Sequence, residues 1–196
     1  MDLIILIVTF AFLGYGIKYI DQAYDENEFP IRSANIVAII SGILMGTLMA
    51  FDSPFSTAFF IAMIISLVLA KKIDNVAFAA GSIIAFGMMG VFMLNTSVTF
   101  LLLPIAVFLF AGFMDEMVDG FAHKHNLGDL AEKFCHYRPF SDFALFAMVA
   151  LGIFSWIYVV PYFTFTIAYM MVGKINLMDI ATGIRQVIIR ASKFRP

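Results

Sequence analysis

The sequence predicts an all-α integral membrane protein, a bundle of about seven short transmembrane helices. Of its 196 residues, 62% are hydrophobic and only 13% are charged, whereas a soluble domain carries about 25% charged residues. The charged residues are also grouped, so that long uncharged runs separate them. A helix needs roughly 20 apolar residues, and at least about 17, to cross the hydrocarbon core of a bilayer. The uncharged runs therefore predict membrane-spanning helices.

The first half of the chain contains three uncharged runs, and each of them predicts one span. These runs cover residues 3–17, 33–51 and 53–70. The first run lacks the positively charged start and the small-residue cleavage site of a signal peptide. We therefore expect it to be retained as the first span.

The next uncharged run, residues 75–114, is long enough for two spans. A polar stretch, Asn95-Thr96-Ser97, divides it near its middle. Consecutive small polar residues between apolar segments are typical of a turn. This run therefore predicts the fourth and fifth spans.

The last uncharged run, residues 143–173, is longer than one span needs and shorter than two full spans. Trp156, Tyr158 and Pro161 lie near its centre, where a single helix would bury them in hydrocarbon. Trp and Tyr prefer the membrane interface, and Pro interrupts helices. These residues favour two short spans with a turn at 159–161, although one long span remains the alternative.

The distribution of charge predicts the orientation of the protein. If seven spans alternate, all 12 Lys and Arg residues fall on one side of the membrane, the basic side. Among charged residues, only Asp2 and Asp52 fall on the other side. The positive-inside rule makes the basic side cytoplasmic, with the N-terminus outside and the C-terminus inside. We therefore expect a protein of the cell membrane whose functional face is cytoplasmic.

The chain divides into a membrane domain, residues 1–175, and a basic tail, residues 176–196. Apolar residues recur at helical spacing in the tail, between basic ones. This pattern predicts an amphipathic helix that lies on anionic lipid headgroups, with a solvated tail packed on the bundle as the alternative. A further short helix is predicted to begin at Asn126, whose side chain suits an N-cap.

Two acidic clusters follow spans on the basic side. The first contains Asp21, Asp25, Glu26 and Glu28; the second contains Asp115, Glu116 and Asp119, with His123 and His125 just beyond. Each cluster pairs aspartates at i,i+4, a spacing at which like charges destabilise a helix by a few tenths of a kcal/mol. Acidic groups at a helix C-terminus also oppose the helix dipole, at a cost of about 0.3–1 kcal/mol. A bound cation would relieve both penalties.

These residue types indicate a metal and phosphate site. Carboxylate oxygens suit Mg²⁺, or Mn²⁺, together with water and substrate phosphate. The candidate metal ligands are Asp21, Asp25, Asp115 and Asp119; the candidate catalytic residues are His123 and Asp119; the candidate phosphate-binding residues are Arg138, Lys71 and Lys72. The alternative is that the acids simply pair with nearby basic residues, and that the lysines only fix the topology.

The two aspartate pairs resemble motifs of known membrane enzymes. Asp21-Gln-Ala-Tyr-Asp25 and Asp115-Glu-Met-Val-Asp119 are similar to the paired Asp-rich motifs with which UbiA-superfamily prenyltransferases hold Mg²⁺ and a prenyl diphosphate. The chain is shorter than members of that superfamily and lacks their fuller first motif. Asp119-Gly120-Phe121-Ala122 resembles the start of the CDP-alcohol phosphotransferase signature, whose later part is absent here. The resemblance therefore implies a similar mechanism and not membership of either family.

These observations favour a metal-dependent enzyme that acts on a phosphate- or diphosphate-bearing lipid at the cytoplasmic face. No Asp, Glu, Lys, Arg or His residue lies in the middle of any predicted span, which argues against ion-coupled transport. Two alternatives remain: a cation channel or carrier with an acidic cytoplasmic vestibule, and a non-catalytic subunit or scaffold that docks a basic partner. Membrane lipids are the expected partners, nucleic acid is not expected, and the oligomeric state is left open.

Overall fold

The computed structural model describes residues 1–125 and 137–172, and for 123–125 only the backbone. The regular secondary structure of this part of the chain is all helical, with no strand. The helices are α1 (Leu3–Asp21), α2 (Ile31–Phe51), α3 (Pro54–Leu69), α4 (Val76–Met93), α5 (Leu102–His125), α6 (Pro139–Ala150) and α7 (Val159–Val172). Seven helices agree with the predicted number. The helix predicted from Asn126 and the tail at 176–196 lie outside the described residues.

Local sequence signals define where several helices begin and end. The Ser53 hydroxyl accepts the N–H of Ser56 at the start of α3, and the Asn75 side chain accepts the N–H of Phe78, at 2.9 Å, at the start of α4. Such side-chain acceptors satisfy N–H groups that have no partner within the helix. The C-terminal end of α1 continues as a short π-helix, Gln22–Glu26.

The last uncharged run forms two helices, but their junction is not where the sequence predicted it. The chain turns at Gly152, whose φ of +72° is left-handed and suits glycine. A short 3₁₀ turn, Trp156–Tyr158, then leads into α7. Residues 159–161 are the first turn of α7 instead of the predicted turn. Pro161 is tolerated there because the first N–H groups of a helix need no intrahelical partner.

The helices pack around an aromatic core. The most extensive helix pairs are parallel: α1 with α7, α2 with α4 and α3 with α5. α1 also contacts α2, α2 also contacts α3, and α5 also contacts α6, in each case antiparallel. Phe10, Phe55, Phe59 and Phe60 are buried together, with the rings of Phe10 and Phe60 5.0 Å apart. This cluster joins α1 to α3 in the centre of the molecule.

Glycines allow the closest contacts between helices. A Cβ atom built at Gly14 would lie 2.1 Å from the backbone oxygen of Phe165 on α7. Cβ atoms at Gly42 and Gly46 of α2 would each lie 2.5 Å from a carbonyl oxygen of α4. Small residues at such positions are typical of apolar helix bundles, in which backbones approach closely.

Charged groups lie at the two ends of the bundle. At one end the amino group of Met1 lies 3.8 Å from the Asp52 carboxylate, next to the start of α3. The opposite end, which we call the basic end, contains the end of α1, the end of α3 and the starts of α4 and α6. Consecutive helices therefore run in alternating directions along the bundle.

Within residues 1–125 and 137–172, three helical segments are long and apolar enough to cross a membrane. They are Leu3–Glu26, Ile31–Phe51 and Val76–Met93. α3, α6 and the segment Trp156–Val172 are shorter apolar helices. The described part of the chain thus agrees with a membrane location, while the orientation stays a prediction.

Candidate functional site

An ion pair between α5 and the start of α6 is the centre of the basic end. α5 continues beyond the predicted span through the second acidic cluster, which places Glu116 opposite Arg138. The Arg138 Nη2 group donates a hydrogen bond to Glu116 Oε1. Both side chains are mostly buried, with 20% and 10% of their surface exposed. Burial lowers the pKa of Arg138, but the charges of Glu116 and of three further acidic groups around it together more than offset this and raise the pKa overall.

The aromatic ring of Tyr169 connects this ion pair to α1. The Arg138 guanidinium carbon lies 5.2 Å from the centre of the Tyr169 ring, and Lys18 Nζ lies 5.7 Å from it. Both distances fit cation–π contacts. Lys18 also donates to Asp21 Oδ2 at 2.6 Å. The ring therefore lies beside two cations whose carboxylate partners belong to different helices.

Asp115 caps the N-terminus of α6. Its Oδ1 and Oδ2 atoms accept the backbone N–H groups of Phe140 and Ser141, each at 2.9 Å. Only 1% of Asp115 is exposed. Burial raises the pKa of this carboxyl group, and the hydrogen bonds it accepts act in the opposite direction. Both oxygens of this predicted metal ligand thus already bind a helix terminus.

A second carboxyl group, Asp142, lies just before the apolar part of α6. Its Oδ1 atom accepts the hydroxyl proton of Tyr162 at 2.8 Å. Burial raises the pKa of Asp142 to about 6, the Tyr162 hydrogen bond opposes this, and the charge of Asp115 adds to it. We call these groups together the charged cluster: Lys18, Asp21, Asp115, Glu116, Arg138, Asp142, Tyr162 and Tyr169.

The first acidic cluster is only partly joined to this network. Asp21 is paired with Lys18, whereas Asp25 is exposed at the end of α1. Burial raises the pKa of Asp25, and the charges of Asp21 and Asp74 raise it further, against the effect of Lys72. Lys72 therefore lies near Asp25, and an acidic patch of three carboxylates occupies this part of the basic end.

The predicted site residues are not gathered at one point. Lys71 and Lys72 are exposed at the end of α3, and Asp119 is half-buried one turn beyond Asp115 on α5. The backbone of His123 continues the same helix, but its side chain lies outside the described residues. Among the described side chains, no group of three or more His, Cys, Asp or Glu residues is placed to hold a metal ion. Metal binding therefore stays a prediction.

Several members of the charged cluster were not singled out from the sequence. In the sequence, Glu116 is one member of the second acidic cluster, and Lys18 is the residue that follows the first uncharged run. Tyr162 and Tyr169 are seven residues apart, a spacing that places both on one face of a helix. That spacing could have predicted that the two tyrosines share a face. It does not identify the carboxylate and guanidinium groups on neighbouring helices that this face contacts.

An apolar groove of about 420 Å³ lies next to the charged cluster, between α5 and α6. Its lining includes Ala106, Phe110 and Ala111 from α5 and Phe140, Phe143 and Ala147 from α6. Phe140 is also the residue whose N–H binds Asp115. One end of the groove therefore lies at the helix terminus that Asp115 caps.

Comparison with known proteins gives no match: no protein-family model, no curated protein and no solved structure is significantly similar to this chain.

Proposed function

We propose that this membrane protein binds a phosphate- or diphosphate-bearing lipid at its basic end and acts on it with the help of a divalent metal ion. The observation that supports this most strongly is Arg138, a guanidinium at the end of an apolar bundle and two residues before Phe140, which lines an apolar groove. Arginine has five N–H donors in a planar fork that matches phosphate oxygens. Glu116 accepts from one of its terminal nitrogens, so other donors are available to a ligand.

The proposed metal site uses the acidic residues that do not cap a helix. Asp21 and Asp25 would hold one Mg²⁺ or Mn²⁺ ion and Asp119 on α5 would contribute to a second, with substrate phosphate and water completing each shell. The mutual repulsion that raises the pKa of Asp25 is an energetic reason for a cation to bind there. The metal would neutralise charge that develops on the phosphoryl group. His123 would serve as the acid or base, and Lys71 and Lys72 would add positive potential.

Thermal unfolding of the purified protein in detergent tests this proposal. We expect Mg²⁺ to stabilise the wild type and pyrophosphate to add to that effect. A ligand that binds only the folded state at a hundredfold excess over Kd contributes about 2.7 kcal/mol. Asp25→Asn should lose the Mg²⁺ response. Arg138→Lys should keep it and lose the pyrophosphate increment, because lysine lacks the planar fork.

The matched control is Asp2→Asn, which removes an exposed carboxylate at the opposite end of the bundle. It should respond to both ligands as the wild type does. The proposal fails if neither ligand stabilises the wild type, or if Asp25→Asn and Asp2→Asn respond equally. If binding is established, Asp119→Asn should abolish turnover of the lipid without changing the amount of folded protein.

A non-catalytic membrane subunit is the second candidate. The observation that favours it is that the charged cluster compensates itself, through Glu116 with Arg138 and Lys18 with Asp21. Under this hypothesis the cluster fixes how the helices pack, and the exposed Asp25 and Glu26 dock a basic partner. Co-purification of a partner that is lost at high salt, together with no metal response, would favour this candidate.

A further inference from the structure

The groove between α5 and α6 runs along the two helices, away from the charged cluster. α5 and α6 are antiparallel, so Ala111 and Phe140 lie near the cluster while Ala106 and Ala147 lie at the far end. Phe140 and Ala147 are seven residues apart, which corresponds to about 10 Å along a helix. A volume of about 420 Å³ falls within the usual range of about 300–1,000 Å³ for small-molecule sites.

The lining of the groove has a floor of small residues and a wall of aromatic ones. Ala111 and Ala144 are each only 5% exposed at the floor, whereas Phe110 and Phe143 are 64% and 75% exposed at the rim. Elsewhere in the bundle, small residues allow two helices to touch, as Gly42 does between α2 and α4. Between α5 and α6 the small residues instead line an open space.

The charged cluster lies beyond one end of the apolar groove, and its position determines which occupant fits. Phe140 lines the groove, its N–H binds Asp115, and Arg138 precedes it by two residues. An apolar chain in the groove would therefore bring an attached anionic group to the level of Arg138. A wholly apolar occupant would make no favourable contact with Arg138.

We infer that the groove holds one hydrocarbon chain of the lipid whose phosphate is bound by Arg138. This inference rests on the proposed function and adds the surface that recognises the chain. The alanines set the width of the groove, so a single linear or methyl-branched chain fits. The groove thereby makes the site selective for a lipid over a free phosphate compound.

Photocrosslinking tests the inference. The probe is an alkyl phosphate with a diazirine at the far end of its chain, added at low mole fraction to phosphatidylcholine nanodiscs that contain the protein. We expect adducts on Ala106, Phe110, Phe143 or Ala147. Ala106→Trp should reduce them by at least about tenfold, because the indole displaces a chain segment of about two methylene groups.

Three controls separate the groove from ordinary lipid contact. Val8→Trp places the same side chain on an exposed apolar position of α1 and should leave the adducts unchanged. Ala147→Phe fills the groove from α6 and should agree with Ala106→Trp, with gel filtration to check that each variant is folded. A phosphatidylcholine probe with the same diazirine should label the groove more weakly than the alkyl phosphate does.

The inference is overturned if adducts spread over exposed residues of α4 as densely as over the groove. It is also overturned if the two groove variants behave as Val8→Trp does, or if both probes label the groove equally. Pyrophosphate stabilisation of the wild type without groove labelling removes this inference alone. Loss of pyrophosphate stabilisation in the wild type removes the proposed function, and this inference with it.

Discussion

The carboxyl group of Asp142 lies where three kinds of neighbour act on its proton. The Tyr162 hydroxyl donates to it, Asp115 repels its negative charge, and Arg138 attracts that charge. Burial has the largest effect and raises its pKa to about 6. At neutral pH this group is therefore ionised at a cost to the folded state.

That cost predicts how stability depends on pH. An unfolded aspartate has a pKa of about 3.9, so between about pH 4 and pH 6 the folded protein binds more protons. Stability should fall as pH rises through this window and should level off above it. We expect Asp142→Asn to remove on the order of 1 kcal/mol of this change, because solvent screens a half-buried group. Denaturant unfolding between pH 4 and pH 7 measures it.

Asp2→Asn is the control for this measurement and should keep the wild-type slope. A residual slope is expected in Asp142→Asn, since burial also raises the pKa of Asp115. An unchanged slope in Asp142→Asn would show that the folded state does not disturb this carboxyl group.

At the residue scale, the sequence predicted which residue types would meet but not their partners. The i,i+4 spacing correctly placed Asp115 and Asp119 on one continuous helix. It did not reveal that Asp115 meets the start of α6, because that contact joins residues 25 positions apart in the chain. Arg138 was identified as a candidate, while its partner Glu116 was one acid among several.

The glycines differ in whether the surrounding helices leave room for a larger side chain. Gly14 of α1 lies against the backbone of α7, whereas a Cβ atom at Gly87 of α4 would have no other atom within 4 Å. The same substitution should therefore have opposite effects at the two positions.

We expect Gly14→Ala to destabilise the protein by about 2–3 kcal/mol, because α1 and α7 must move apart to fit the methyl group. Gly87→Ala should be neutral or stabilising by up to about 1 kcal/mol, since alanine is the better helix former. Thermal unfolding in detergent compares them. Equal stabilities of the two variants would contradict the close α1–α7 contact.

At the element scale, the charged residues that bound the uncharged runs predicted the number of helices better than they predicted the residues at which the helices end. Uncharged runs identify segments that can be buried in an apolar environment, and all seven predicted helices are found. A helix does not have to end where polar residues begin, however. α5 continues past Met114 to His125 because its acidic face meets Arg138 and the start of α6.

The whole molecule has two ends of different chemistry, which predicts how it sits in a membrane. Phe51 and Phe92 pack together, with ring centres 4.7 Å apart, and this places the turn after α4 at the same end as Asp52. Lys72 lies at the basic end, near Asp25. From these positions the positive-inside rule predicts that Lys72 is cytoplasmic and that the turn at Asn95 is external.

Cysteine labelling tests this orientation. Cys135 is the single cysteine of the chain, so Cys135→Ser gives an unreactive background. In that background, Asn95→Cys should react with a membrane-impermeant maleimide in intact cells. Lys72→Cys should react only after the cells are opened. The reverse pattern would invert the orientation and place the candidate site outside the cell.

The short third helix has a consequence for the surrounding bilayer. α3 has 16 residues, which corresponds to about 24 Å at 1.5 Å per residue. α6 has only 12 residues, or about 18 Å, whereas a typical hydrocarbon core is about 30 Å thick. Hydrophobic mismatch therefore favours thinner membranes, or local thinning beside α3 and α6. Such thinning would bring headgroups closer to the groove and shorten the path of a lipid into it.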